Sequence, residues 1–99
     1  MIGMEERTKQ FTELTKRMIE LQSKKGMDYG EQSDGLRNLR RRGVQGVIAR
    51  MGDKLARLEA ITQPGRTVAV EDESIEDTLI DLANYSLLLI ILRRDLENS

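Results

Sequence analysis

The sequence predicts an all-α fold: three long helices with a short helical turn, forming a helical bundle that assembles as a homo-oligomer. Three observations carry this expectation. Apolar residues recur at steps of three and four in three separate stretches, the spacing of one face of a helix. Glycine clusters and the single proline fall between those stretches, where chain reversals need them. The run Leu87-Leu-Leu-Ile-Ile-Leu92 is apolar on every side. A helix buried all round needs neighbours all round, and three helices hardly provide them, so self-association through Leu87–Leu92 is expected.

The first helix is expected over residues 5–25, with Phe11, Leu14, Met18 and Leu21 as its stripe and Gly26 as its stop. Residues 26–46 are turn-rich, with five glycines. Leu36-Arg-Asn-Leu39 reads as a short helical turn ahead of Arg40-Arg41-Arg42. The second helix is expected over 46–62, with Val47, Met51, Leu55, Leu58 and Ile61 in line, Ile48 to one side, and Gln63-Pro64-Gly65 ending it. Residues 65–72 form a connection, in which Thr67-Val-Ala-Val70 is too short for a sheet. The third helix is expected over 73–96. Acidic residues crowd its start and Arg93 and Arg94 its end, as the helix dipole favours. Its stripe is read as Ile75, Leu79, Leu82 and Leu89, opposite the acids.

Ninety-nine residues make one domain, 1–99. The absence of Cys and His removes disulfides, thiolate metal sites and the usual general base. Any catalysis would run on carboxylates, Lys, Tyr or a metal-bound water. The start is acidic rather than basic and then apolar, and no apolar run reaches the length of a bilayer. A cytoplasmic protein with no membrane partner is expected. The net charge of −1 hides an asymmetry. Residues 1–66 carry 14 basic and 9 acidic side chains, hence +5, and residues 67–99 carry 2 and 8, hence −6. At this overall balance nucleic acid is not the expected partner.

Four constellations could carry chemistry. Glu73, Asp77 and Asp81 follow one another at steps of four on the third helix, with Asn84 next and Tyr85 beside it. Carboxylates so stacked repel unless a cation or basic partner offsets them. They suit Mg²⁺ or Mn²⁺, which take oxygen ligands and are often shared with substrate phosphates. The plainer alternative is an acidic first turn and a solvated face. That alternative accounts poorly for Asp81 and Asn84, which lie deeper in the helix. Lys24-Lys25-Gly26-Met27-Asp28-Tyr29-Gly30 could place a carboxylate and an aromatic ring at a cleft, or be a plain helix end and turn. Arg50, Asp53, Lys54 and Arg57 share a face of the second helix. They could meet the third helix's carboxylates, bind phosphate, or form ordinary intrahelical pairs. Arg37, Arg40, Arg41 and Arg42 offer guanidinium forks for phosphate or a charged loop.

In order along the chain stand Lys25-Gly-x-Asp-Tyr-Gly30, Gly43-Val44, Arg50-x-x-Asp-Lys-x-x-Arg57 and Glu73-Ser-Ile-Glu-Asp-Thr-x-x-Asp-Leu-Ala-Asn-Tyr85. This series resembles the nucleotide modification associated domain 1 family. That family is common in bacteriophages and lies near the all-α NTP pyrophosphatases of the MazG-like group. The resemblance implies a helical, oligomeric, nucleotide-handling protein, in the host cytoplasm if phage-encoded. MazG-like enzymes hold Mg²⁺ with Glu-x-x-Glu and Glu-x-x-Asp pairs on two helices. Glu73, Asp77 and Asp81 resemble the second pair at a spacing of four. The first pair is absent, since the second helix offers only Asp53 and Glu59.

Three readings follow. In the first, a nucleotide-binding protein on this scaffold holds a nucleotide or a nucleotide-derived signal, with Lys25, Asp28, Tyr29, Arg50, Asp53, Lys54, Arg57, Asn84 and Tyr85 around the ligand; one form of it is a non-catalytic, anti-defence sponge that sequesters a cyclic oligonucleotide or other immune signal. In the second, a Mg²⁺-dependent nucleoside triphosphate pyrophosphohydrolase uses Asp77 and Asp81 as metal ligands with Glu73 extending the site. In the third, an oligomeric adaptor uses its apolar helix alone. The first is favoured, with no catalytic residue assigned.

Overall fold

The computed structural model describes residues 1–30, 33–65 and 71–98, with the side chains of 71–74 outside the description. Three α-helices follow in order, α1 (Met4–Asp28), α2 (Arg37–Ile61) and α3 (Glu71–Glu97). No strand occurs among the described residues, so the all-α expectation holds. The contacts divide the chain into two units, Met1–Gly35 and Leu36–Ser99.

The first unit is α1 and the turn after it. The helix does not stop at Gly26. It runs to Asp28, where the Tyr29 and Gly30 amides donate to the carbonyls of Lys25 and Met27. Gly30, at φ 71°, supplies the left-handed residue that ends the helix. A glycine inside a helix is tolerated at a cost of roughly 1 kcal/mol, so Gly26 is a weak stop beside Gly30. Asp28 and Lys25 are therefore helical, and Tyr29 alone of that motif caps the end. No residue of α1 is buried, and Phe11, Leu14 and Ile19 are exposed.

The second unit is an antiparallel pair, α2 against α3. The helical turn expected at 36–39 and the second helix form one element, Arg37–Ile61, broken at Gly43 (φ 73°, ψ 170°). That backbone region is essentially open to glycine alone. The ending at Gln63-Pro64-Gly65 is as expected. The Thr62 amide and hydroxyl both reach the Leu58 carbonyl, and Gly65 takes φ 89°. The third helix starts at Glu71, two residues earlier than expected. Thr67–Val70, expected as a connection, lies outside the described residues.

Each helix of this pair contributes a seam at alternating steps of three and four. On α2 the residues are Val44, Val47, Met51, Lys54, Leu58 and Ile61. On α3 they are Thr78, Asp81, Tyr85, Leu88, Leu92 and Asp95. None of the twelve is exposed. This spacing is that of helices crossing at a shallow angle with interlocking side chains. Leu39, Val47 and Leu92 form the centre, with Leu36, Met51, Tyr85 and Leu89 against it.

Two expectations change here. Leu55 and Ile48 are exposed, and Lys54 takes the seam position that Leu55 was expected to hold. On α3 the stripe expected opposite the acids, Ile75, Leu79, Leu82 and Leu89, faces α2 only in part, since Leu89 packs against the centre. Leu79 is half exposed, whereas Asp81, on the acidic side, looks across at α2. The physical reason is that Lys54 neutralises Asp81, so a carboxylate can occupy a half-buried seam. Within the run 87–92 only Leu92 is fully buried, while Leu87, Ile90 and Ile91 remain about half exposed.

Candidate functional site

The two helices of the second unit bring the basic face of α2 onto the acidic side of α3. Lys54 Nζ lies 3.2 Å from Asp81 Oδ2, with side-chain exposures of 24% and 18%. One turn nearer the centre, Arg50 Nη2 donates to the Tyr85 hydroxyl at 3.4 Å. Farther along, Arg40 Nη1 donates to Asp95 Oδ2 at 3.1 Å. The step of four from Arg50 to Lys54 is matched by the step of four back from Tyr85 to Asp81. The ten residues from Arg40 to Arg50 match the ten from Asp95 to Tyr85. One register therefore holds along the pair, across the break at Gly43.

These contacts sit beside the apolar centre. Tyr85 packs its ring against the Leu39, Val47 and Leu92 cluster and turns its hydroxyl to Arg50. Asn84 and Thr78 are buried polar residues on the same helix, at 8% and 4% exposure. Both engage partners of their own, as buried polar groups must. Asp53 is exposed on α2, and Asp77 is exposed one turn before Asp81. Arg57 and Asp77 are each engaged in interactions.

Of the residues expected around a ligand, the structure unites Arg50, Lys54, Asp81 and Tyr85 in one strip, with Asn84 on the same stretch of α3. Lys25, Asp28 and Tyr29 lie in the first unit, all exposed. The Glu73 side chain falls outside the described residues. For a divalent cation, the described donors on α3 are Asp77 and Asp81, and the Lys54 ammonium already sits at Asp81. No group of three metal-ligating side chains converges among the described residues. The described residues alone thus fall short of a Mg²⁺ cage.

Two contributors escaped the sequence reading. Thr78 and Asp95 belong to the same seam as Asp81 and Tyr85, at steps of three and four. That spacing was the available signal, hidden because both residues are polar.

Residues 25–92 match the family described as Nucleotide modification associated domain 1. The chain belongs to that family. The match takes in the last turn of α1 and nearly all of the second unit, so the Arg50, Lys54, Asp81 and Tyr85 strip lies within the Nucleotide modification associated domain 1 region. No curated protein and no solved structure matches the chain. No helix among the described residues is long and apolar enough to cross a membrane.

Proposed function

We propose that this chain is a nucleotide-binding module that holds the phosphates of a nucleotide or nucleotide-derived small molecule along the Arg50, Lys54 and Arg57 edge of α2. The observation that carries the reading is the polar strip in the α2–α3 seam. A helix pair is stabilised most simply by apolar seam residues. Replacing a half-buried ion pair by apolar side chains is often neutral or stabilising. Yet Lys54 and Asp81 occupy facing seam positions with Arg50 and Tyr85 beside them.

Such a strip suits an anionic ligand. Guanidinium forks match phosphate oxygens bidentately, and a lysine adds a point charge. Asp81 holds Lys54 in position, and Asn84 and Tyr85 offer polar contacts for the base or sugar. The family description, with its reference to nucleotides, supports the ligand class.

The second reading, a Mg²⁺-dependent pyrophosphohydrolase of MazG-like type, draws on Asp77 and Asp81 one turn apart. It ranks below binding because Asp81 is already paired with Lys54.

The test is to incubate the pure full chain with nucleoside mono-, di- and triphosphates and cyclic oligonucleotides, with and without Mg²⁺, and to resolve the mixture by chromatography. The expected result is a ligand that is retained and returns intact after heat denaturation, with at least roughly tenfold weaker retention in Arg50→Ala and Lys54→Ala. A monophosphate product that needs Mg²⁺ and vanishes in Asp77→Asn would establish the second reading instead. Retention of none of the panel would end the proposal.

A further inference from the structure

Four arginines open α2 and take no part in the ligand strip. Arg37, Arg40, Arg41 and Arg42 are exposed, as are Arg93 and Arg94 near the end of α3. Because the two helices run antiparallel, both groups come to one end of the pair. The 3.1 Å bond from Arg40 to Asp95 fixes the register there. It sets Arg41 level with Arg94, and Arg42 level with Arg93. The two carboxylates of these segments, Asp95 and Glu97, lie against Arg40 and Arg93, the second pair at 3.8 Å and widely exposed. Among the described residues no carboxylate pairs with Arg41, Arg42 or Arg94. The stem of Arg42 is held in place. Helix α2 breaks directly after it at Gly43, and a Cβ added at Gly46 would lie 3.1 Å from the Arg42 Cβ. Gly46 thus leaves the room in which that stem packs.

Charge on this unit is sorted by position. Six carboxylates, from Glu71 to Asp81, belong to the other end of α3. The overall balance that argues against a nucleic-acid partner is therefore an average over a basic end and an acidic end. A basic patch sets up its own local field whatever the net charge, and guanidinium forks match phosphate oxygens bidentately. A protein partner would want apolar or aromatic anchors at the centre of its contact. Between Arg37 and Arg42 the one apolar side chain is Leu39, which is buried in the core. None of the chain's three aromatic residues belongs to either segment, so no ring is there for a base to stack on. Contacts to phosphate alone fix position and carry no sequence information. We propose that the arginines brought together at this end, across the Gly43 break from Arg50 and Lys54, dock the phosphodiester backbone of a polynucleotide without sequence preference.

The test follows fluorescence anisotropy of labelled single-stranded and duplex DNA, each in two unrelated sequences, as the full chain is added over a series of salt concentrations. The expected result is equal binding of both sequences, with a Kd on the order of 10 μM at physiological salt and a log–log salt slope of about −3 on the duplex, the value for roughly three phosphates neutralised. Arg41→Ala and Arg94→Ala should each reduce that slope by about one and weaken both sequences alike. Arg41→Glu/Arg42→Glu should abolish binding. Lys16→Glu/Lys24→Glu, the same change of charge placed on α1, should leave it within about twofold at physiological salt. Circular dichroism confirms that each variant keeps its helix content. The proposal is overturned if neither form of DNA binds in a salt-dependent way, or if the two double variants lose binding equally, which would make net charge the cause. It is also overturned if polyglutamate competes as well as unlabelled DNA of equal charge, which would assign the end to an acidic protein. The Arg41→Glu/Arg42→Glu variant keeps Arg50, Lys54 and Arg57, so its retention of small nucleotides should match the wild type. This proposal and the proposed function therefore fail separately.

Discussion

The first unit and the α2–α3 unit make opposite use of the same kind of sequence. Helix α1 has an ordered apolar stripe, with Phe11, Leu14, Met18 and Leu21 at steps of three and four, yet none of its residues is buried. Helices α2 and α3 mix charge into their contact faces and nevertheless bury Val47 and Leu92 completely. Amphipathic spacing thus reveals a face and says nothing of what meets it. A seam is made by two faces in register, and the α2–α3 pair achieves register by matching Lys54 to Asp81, Arg50 to Tyr85 and Arg40 to Asp95.

The sharpest way to break the comparison is to remove one large apolar side chain from each unit. Leu92→Ala empties a fully buried site and is expected to destabilise the α2–α3 unit by about 3 kcal/mol, within the usual range for large-to-small core changes. Phe11→Ala removes a bigger side chain that is 64% exposed, and should shift stability by under about 0.5 kcal/mol, as substitutions away from the core do. Urea titration followed by circular dichroism at dilute concentration reads both. Equal losses in the two variants would mean that α1 is covered as tightly as Leu92.

The next effect lies within the seam. Lys54→Ala removes the ammonium that lies 3.2 Å from the half-buried Asp81 carboxylate, and should cost about 2 kcal/mol from the lost ion pair. The double substitution Lys54→Met/Asp81→Leu should recover that loss or exceed wild-type stability, while abolishing retention of phosphorylated ligands. A double variant less stable than Lys54→Ala would show that the ion pair itself stabilises the fold. The strip would then need no ligand to explain it.

The existence of three helices was legible in the sequence because each carries a long periodic stretch. The end of α2 was legible because Gln63-Pro64-Gly65 admits little else. The end of α1 was misplaced because Gly26 and Gly30 look alike as letters. Only the backbone distinguishes the helical one from the one at φ 71°. The interruption between the helical turn at 36–39 and the second helix was legible in the glycine-rich stretch, but its reduction to a single break at Gly43 was not. The contact face of α2 was legible except that Lys54 stands where Leu55 was expected, whereas that of α3 was largely misread, since sorting residues by polarity separated Thr78, Asp81 and Asp95 from Tyr85, Leu88 and Leu92. Sorted by spacing alone they are one line. Arg50, Lys54, Asp81 and Tyr85 were legible as separate candidates. That the basic face of α2 could meet the carboxylates of α3 was among the readings open; which residue meets which was not legible, because it depends on a register that sequence periodicity leaves open.

Two glycines of α2 give a last pair of effects, opposite in sign. Gly43 sits at φ 73°, ψ 170° with open space where a Cβ would go, so Gly43→Ala meets no neighbour and the whole penalty is backbone strain, about 1–3 kcal/mol. Gly52 is exposed in the helical part of α2, away from positive φ, and also has open space at its Cβ. There Gly52→Ala removes only unfolded-state freedom and should stabilise by about 0.5–1 kcal/mol. Thermal melts of the two variants at one concentration measure the pair. If Gly43→Ala melted with Gly52→Ala above the wild type, α2 would be an unbroken helix. The segment carrying Leu39 and Arg40 would then leave the register that sets Arg40 against Asp95.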